Sequence, residues 1–361
     1  MIQYKIPMVP GPVSVPQRVL EALNFDYASP DLEYEYVELY NQVESNLQQL
    51  MGTGNKIALM TGEGMIALWG ALKSTLKPGD RVLTVGTGVF GYGIGEMAKA
   101  CGAEVRTVGT GYDETIGDLS EIEKAIIQFH PKMITTVHCE TPSGTLNPLA
   151  ELGALKQRLD VPLFYVDAVA SIGGCPVLGD DWHIDLLLGG TQKAVSAPPN
   201  MSFLSVSDTA WDIIKQVNYP GYDALLPFLN AREIFYFPYT MYWQGTAALK
   251  VATDIILEEG LDAVFARHEE NAVYTRDQMA ALGYELYPRP GAVNAPTVSA
   301  FKVPANNPWK SFNADLLARG LGVGGSYGPL ADKVFRVGHM GSQSRRDLID
   351  KALQVLTEVK H

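Results

Sequence analysis

The chain has 361 residues, 47% hydrophobic and 19% charged, as is usual for a globular protein with a sizeable core. Its 28 basic and 40 acidic residues give a formal net charge of −12, which argues against nucleic acid and anionic membranes as partners. Cys101, Cys139 and Cys175 show neither CxxC pairing nor metal-ligand spacing, so we expect free thiols and no metal site. No segment has the apolar length of a signal peptide core or a membrane helix, which favours a cytoplasmic enzyme.

Between about residues 55 and 200, short β-rich runs alternate with helical patterns. The predicted strands are 81–85, 104–108, 133–137, 163–166 and 184–188. Ile122, Ala125, Ile126 and Phe129 recur at the spacing of one helix face. Continuous apolar strands that alternate with helices predict a mainly parallel sheet sandwiched by helices, which is an α/β fold.

The pattern changes after Gln244. Apolar residues at helical spacing predict one helix ended by Gly260, a second to about residue 282, and a third at the C-terminus. We therefore predict a large cofactor-binding α/β domain over residues 20–245. A smaller α+β domain is predicted from residues 246–361, with the N-terminal segment 1–19 packed against it.

Lys193 stands directly after an apolar run, in the segment LLLGGTQKAVSAPP. An ordinary loop lysine is the commoner use of such a position. However, open α/β sheets bind ligands at the carboxyl ends of their strands. A desolvated lysine amine there loses its proton readily and can attack a carbonyl. Lys193 is therefore a candidate Schiff-base lysine.

Asp167 ends the apolar segment LFYVD. A carboxylate at a strand end commonly caps a loop or a helix. Beside Lys193 it gains a more specific role, because a buried carboxylate needs a cation and a protonated pyridine nitrogen supplies one. Arg336 lies between the apolar Phe335 and Val337, and its planar fork suits either a structural ion pair or capture of a substrate carboxylate.

Gly62, Glu63 and Gly64 precede a predicted helix, whose free N–H groups form an anion cradle. Glu63 either caps this helix or takes part of the anion's space.

A second glycine-rich turn, GTGVFG at residues 86–91, matches GxGxxG, and Asp113 and Glu114 follow at about the distance of a ribose-binding acid. An NAD-dependent dehydrogenase is therefore an alternative. Phe90 argues against it, because a bulky residue suits stacking on a planar ring better than close approach to a pyrophosphate.

In chain order these segments resemble class V aminotransferases of pyridoxal-phosphate fold type I, and most of all the alanine–glyoxylate and pyridoxamine–pyruvate transaminases. The resemblance covers nearly the whole chain. It implies a transaminase that carries pyridoxal 5'-phosphate as an internal aldimine on Lys193 and pairs the ring nitrogen with Asp167. The substrates it implies are amino acids and small 2-oxo acids such as pyruvate or glyoxylate.

The resemblance also assigns roles to individual residues. Gly11, in MVPGPVSVP, and Arg336, in RVGHMG, are the expected substrate contacts. The expected cofactor contacts, besides Lys193 and Asp167, are Glu63, Gly64, Met65, Phe90, Thr141, Val169, Gln192 and Thr240. Thr240, in FPYT, is expected to reach the neighbour's phosphate across an interface, which implies a homodimer with active sites at that interface.

Two departures from the family pattern leave the form of the pyridoxal open. Glu63 stands where many alanine–glyoxylate enzymes have a small hydroxyl residue, and Phe237 where they have a tyrosine. Pyridoxamine–pyruvate transaminase, which uses unphosphorylated pyridoxal compounds as substrates, resembles this chain at Gly62 and Glu63.

A cysteine desulfurase and a silent binding protein fit the sequence less well. The desulfurase would need a cysteine in the C-terminal half of the chain, and none follows Cys175. The binding protein would not need Lys193, Asp167 and Arg336 together.

Overall fold

The computed structural model describes residues 4–359. Its α-helices are α1 Gln17–Leu23, α2 Glu35–Met51, α3 Gly64–Thr75, α4 Val89–Ala100, α5 Ser120–Phe129, α6 Ala150–Arg158, α7 Asp208–Val217, α8 Trp243–Glu259, α9 Leu261–Ala281, α10 Trp309–Ala318 and α11 Arg346–Val359. Its strands are β1 Ile6–Pro7, β2 Lys56–Thr61, β3 Arg81–Gly86, β4 Glu104–Gly109, β5 Met133–Val137, β6 Cys139–Glu140, β7 Thr145–Leu146, β8 Leu163–Asp167, β9 Leu186–Gly190, β10 Met201–Val206, β11 Ser299–Lys302, β12 Leu321–Gly322, β13 Gly324–Gly325 and β14 Val334–Val337. None of the described helices is both long and apolar enough to cross a bilayer.

A seven-stranded sheet in the order β2-β10-β9-β8-β5-β3-β4 forms the centre of the molecule. The strand β10 runs opposite to the other six: it pairs antiparallel with β2 and β9, and the remaining pairs are parallel. The five predicted strands correspond to β3, β4, β5, β8 and β9, and the predicted α/β fold is confirmed. The strands β2 and β10 were not predicted, because the periodicity of a short apolar run does not distinguish a buried strand from a buried helix.

The strand order explains how the candidate site assembles. The neighbouring strands β9, β8, β5 and β3 are parallel, so their carboxyl ends meet at one edge of the sheet. Asp167 is the last residue of β8, and Lys193 follows β9 by three residues. Beyond β5 and β3 come the segments that carry Thr141 and Phe90.

The C-terminal part of the chain has its own antiparallel sheet, β11-β14-β13, and a second buried cluster that includes Phe301, Phe312 and Phe335. The three predicted helices correspond to α8, α9 and α11, and Gly260 separates the first two at a φ of 88°. The strand β1 pairs with β12, which brings the N-terminal segment onto this part of the chain. The exact division into residues 20–245 and 1–19 with 246–361 stays a prediction.

Candidate active site

A cavity of about 120 Å³ lies at the carboxyl ends of these strands. Its lining includes all the residues predicted to contact the cofactor except Thr240; the full lining is Glu63, Gly64, Met65, Leu68, Phe90, Cys139, Thr141, Asp167, Val169, Ala170, Gln192 and Lys193. An apolar cavity of about this size holds one aromatic ring. The tertiary structure thus brings together side chains that come from five separate segments of the sequence.

Lys193 points its amine at the N-terminal segment. The Nζ atom donates a hydrogen bond of 2.6 Å to the carbonyl oxygen of Pro10. Gly11 lies so close that a Cβ there would be 2.6 Å from Nζ, and its φ of 100° also favours glycine. Burial and the positive charge of Arg336 lower the pKa of Lys193 to about 8. At this pKa roughly a tenth of the amine is unprotonated at pH 7, far more than in an ordinary lysine, and the neutral form is the one that a nucleophile or a proton acceptor requires.

Asp167 is 6% exposed, and its Oδ1 accepts the Val169 N–H at 2.9 Å. Burial raises the pKa of Asp167 to about 6, although the Val169 N–H and the charge of Lys193 act in the opposite direction. Within residues 4–359 this carboxylate forms no ion pair. It is thus a buried acid that faces the cavity, with Lys193 as the cation whose charge acts on it but without a direct ion pair among the described residues.

Glu63 is the N-cap of α3. One carboxylate oxygen accepts the Met65 N–H at 3.1 Å, and the other accepts the Gln192 side-chain amide at 3.0 Å. The helix-capping interpretation of Glu63 therefore agrees with the geometry. The same contacts place a negative charge at the helix N-terminus where the sequence predicts an anion cradle.

The GxGxxG turn contacts a carboxylate of the protein itself. The N–H groups of Phe90 and Gly91, in the first turn of α4, donate to the two carboxylate oxygens of Glu140 at 3.2 and 2.6 Å. Glu114 is also in use, since it forms an ion pair with Arg289. A pyrophosphate at this turn would have to replace Glu140, which argues against the dinucleotide alternative.

Arg336 is 3% exposed and lies on β14. Its Nε donates to the carbonyl oxygen of Gly325 at 2.8 Å, Nη2 donates to the same oxygen, and the Tyr327 ring centroid lies 4.7 Å from the guanidinium carbon. No acidic side chain in the part of the chain that the structure describes pairs with it. A buried guanidinium without a carboxylate partner can bind an anionic ligand.

Thr240 lies apart from the cavity. Its side chain is exposed, and its hydroxyl donates to the Asp31 carboxylate at 2.9 Å. Phe237 is buried against Tyr36 and Tyr40. A contact of Thr240 with a neighbouring subunit stays a prediction.

Sequence reasoning missed Leu68 and Ala170 of the cavity lining, and three further residues with informative contacts. Pro10 contacts Lys193 through its backbone, which the side-chain pattern does not reveal. Cys139 lines the cavity, although the sequence indicated only a buried or loop thiol. Glu140 gave a signal that could have been used. It stands between the apolar segment MITTV and the turn TPSG, where we expect buried positions, and an acid is rarely buried without a specific partner.

The comparison with known proteins identifies the family. The family model described as "Aminotransferase class-V" matches residues 10–323. The chain belongs to the class V aminotransferases. An uncharacterised aminotransferase of Methanocaldococcus jannaschii is 34% identical over 96% of this chain and 90% of its own.

Two further relatives have more specific names. The pyridoxamine–pyruvate transaminase of Mesorhizobium japonicum is 30% identical over 93% of this chain and 86% of its own. The crystal structure of an alanine–glyoxylate aminotransferase from Nostoc superposes with a TM-score of 0.95 at 28% identity, covering 100% of this chain and 96% of that one. The resemblance to class V aminotransferases of fold type I is confirmed, and the protein is a transaminase rather than a dehydrogenase. Membership of this family implies dependence on pyridoxal phosphate.

The lowered pKa of Lys193 predicts the pH dependence of its reactivity. Because only the neutral amine attacks an aldehyde, the rate of reductive methylation of Lys193 by formaldehyde and cyanoborohydride should rise with a midpoint near pH 8 instead of the ordinary 10.5. Mass spectrometry of the digested protein measures this rate at each pH. Arg336→Met should raise the midpoint, since it removes a nearby positive charge, whereas Arg276→Met at another largely buried arginine should not. A wild-type midpoint above pH 10 would contradict the prediction.

Proposed function

We propose that the enzyme transfers an amino group between an amino acid and a small 2-oxo acid, with a pyridoxal compound in the cavity beside Lys193. One observation carries the proposal: Lys193 and Asp167 line the same small cavity, and Arg336 lies close enough to lower the pKa of Lys193. The amine can react with the aldehyde of a pyridoxal compound, the buried acid can pair with its ring nitrogen, and the buried guanidinium can bind a substrate carboxylate.

The residues fit the pyridoxal ring. Bound pyridoxal supplies an aldehyde and an electron-withdrawing ring that stabilises negative charge on the substrate carbon. Asp167 offers the ring nitrogen a buried carboxylate that forms no ion pair among the described residues, and a protonated nitrogen would favour its ionised form. Phe90 and Val169 bound the same cavity and would hold the plane of the ring.

Lys193 carries the proton transfers. Its Nζ has a pKa of about 8, so it both accepts and returns a proton near neutral pH without a large energetic cost. The hydrogen bond to Pro10 keeps the amine oriented inside the site. Arg336 is expected to bind the substrate carboxylate. Its Nε and Nη2 donate to the Gly325 carbonyl oxygen and the guanidinium lies over the Tyr327 ring, so a substrate carboxylate would add the first anionic contact to these neutral ones.

The direct test is the reaction of L-alanine and glyoxylate, or its reverse from pyruvate and glycine, in the presence of pyridoxal phosphate or pyridoxal. Lys193→Ala should reduce kcat by about 1000-fold, because it removes the general acid and base. Arg336→Met should raise KM for the 2-oxo acid about 100-fold, since removing one partner of a buried charge pair costs about 3 kcal/mol. Steady-state kinetics measures both.

Arg276→Met is the matched control for Arg336→Met. Arg276 is also largely buried and also donates to a backbone carbonyl, that of Ala295, but unlike Arg336 its charge does not act on the pKa of Lys193. This variant should keep the wild-type KM. Full activity of Lys193→Ala, or an equal rise in KM for both arginine variants, would refute the proposed roles.

A second candidate, with free pyridoxal or pyridoxamine as a substrate, is favoured by Glu63. A phosphate at the start of α3 would meet the Glu63 carboxylate, which already accepts the Met65 N–H and the Gln192 amide. A phosphate beside this carboxylate would meet a like charge, and like charges repel more strongly in a partly buried site than in water. The residues present therefore fit the ring better than they fit the phosphate, and the relative from Mesorhizobium japonicum is named for pyridoxamine and pyruvate.

Separate titrations with pyridoxal and pyridoxal phosphate, followed by absorbance, distinguish the two forms. We expect the wild type to bind pyridoxal more tightly than the phosphate ester. Glu63→Ser and Glu63→Gln should each shift the ratio of the two Kd values at least about tenfold toward pyridoxal phosphate, because both remove the charge. Glu96→Gln, at an exposed acid on α4, should leave the ratio unchanged. Tight binding of pyridoxal phosphate by the wild type, with no effect of Glu63→Ser, would exclude this candidate.

The proposal includes a homodimer. Large hydrophobic side chains are exposed near Thr240, on the segments that include Tyr34 (58%), Ile234 (65%) and Tyr236 (71%). Tyr34 packs against Phe235, so these segments are neighbours in space. An exposed apolar patch of this kind is typical of a subunit interface, which in most homodimers has twofold symmetry.

Analytical ultracentrifugation at micromolar concentration should show a dimer. The double substitution Ile234→Glu and Tyr236→Glu should produce monomers, because charges would be buried in the apolar interface. Val293→Glu, at an exposed apolar residue outside these segments, should remain dimeric. A monomeric wild type would contradict the proposal.

A further inference from the structure

Glu140 is a fully buried acid to which the proposed chemistry gives no task. It is 0% exposed and lies on β6, between Cys139 and Thr141, which both line the cavity. Burial of this carboxylate raises its pKa to about 7. Burying a carboxylate costs desolvation free energy unless other interactions compensate for it, so the contacts of Glu140 indicate what it does.

Those contacts are with the first turn of α4. The carboxylate accepts the Gly91 N–H at 2.6 Å and the Phe90 N–H at 3.2 Å, while no lysine or arginine among the described residues pairs with it. The positive end of the helix thus takes the place of a cation. Asp167 is the acid whose charge acts against the ionised form.

The contact with Glu140 explains why two positions of the GTGVFG turn are glycines. A Cβ at Gly88 would lie 2.5 Å from the Glu140 carboxyl carbon, and one at Gly91 would lie 3.1 Å from Oε1. Neither position leaves ordinary room for a side chain beside the carboxylate. The motif that suggests a dinucleotide in the sequence is therefore built for close approach of the protein's own acid.

The carboxylate connects two segments that line the cavity. It accepts the backbone N–H of Phe90, and Thr141 is the next residue after Glu140. The backbone carbonyl of Glu140 accepts the Gly144 N–H at 2.9 Å, which fixes the backbone from which the carboxylate extends. Resting on the proposed function, we propose that Glu140 is a positioning residue that sets the spacing of Phe90 and Thr141 for the pyridoxal ring.

Glu140→Gln tests this role, because the amide keeps the size of the side chain but offers only one acceptor oxygen. Its NH₂ group would face the second backbone N–H, so one charge-assisted hydrogen bond is lost. The Kd for pyridoxal, or for pyridoxal phosphate if that form binds more tightly, should rise about tenfold. The induced circular dichroism of the bound ring at saturation should also fall, because the ring is then held less uniformly.

Glu44→Gln is the matched control. Glu44 is another buried acid that accepts a backbone N–H, that of Ile57, and it pairs with Arg232 away from the cavity. Both variants should lower Tm, whereas only Glu140→Gln should change the Kd and the induced signal. A Kd within twofold of the wild type in Glu140→Gln, or the same loss in Glu44→Gln, would overturn the positioning role. If the wild type binds neither form of pyridoxal, the proposed function fails instead.

Discussion

The active site depends on buried charges that the protein does not neutralise itself. Lys193, Asp167 and Arg336 meet near one cavity, yet the lysine bonds to the carbonyl of Pro10, the aspartate accepts a backbone N–H, and the arginine bonds to the carbonyl of Gly325. Each group is held in place by neutral backbone and remains available for a ligand. Burial then shifts the pKa values of Lys193 and Asp167 toward each other, to about 8 and about 6. Such opposing shifts are typical of paired acid and base groups in enzymes.

Two acids use helix N-termini in different ways around the same cavity. Glu63 caps α3 and also lines the cavity, so its charge bears directly on what binds there. Glu140 does not line the cavity, and its carboxylate instead accepts a backbone N–H at the start of α4. The proposed discrimination against a phosphate belongs to the first acid, and the proposed ring spacing belongs to the second. The two roles are separable because the carboxylates contact different helices.

Membership of the class V aminotransferases settles the reaction class. The arrangement of residues bears on which form of pyridoxal and which substrates the site would bind. The fit is best where a ring nitrogen, an aldehyde and a small carboxylate would lie. It is poorest where a phosphate would lie, because of Glu63. The dimer, the form of the pyridoxal and the cytoplasmic location stay predictions.

The sequence by itself determined the strand-and-helix alternation, the five parallel strands and the position of Lys193 and Asp167 at strand ends, because apolar periodicity is a local property of the chain. It also carried the family resemblance, through motifs in a fixed order. Only the tertiary structure decided which backbone atoms meet these side chains, since Pro10, 183 residues from Lys193 along the chain, reaches it through the folded N-terminal segment. For the same reason GTGVFG looked like a dinucleotide motif: a short motif specifies free N–H groups, but only the fold supplies the carboxylate of Glu140 that occupies them.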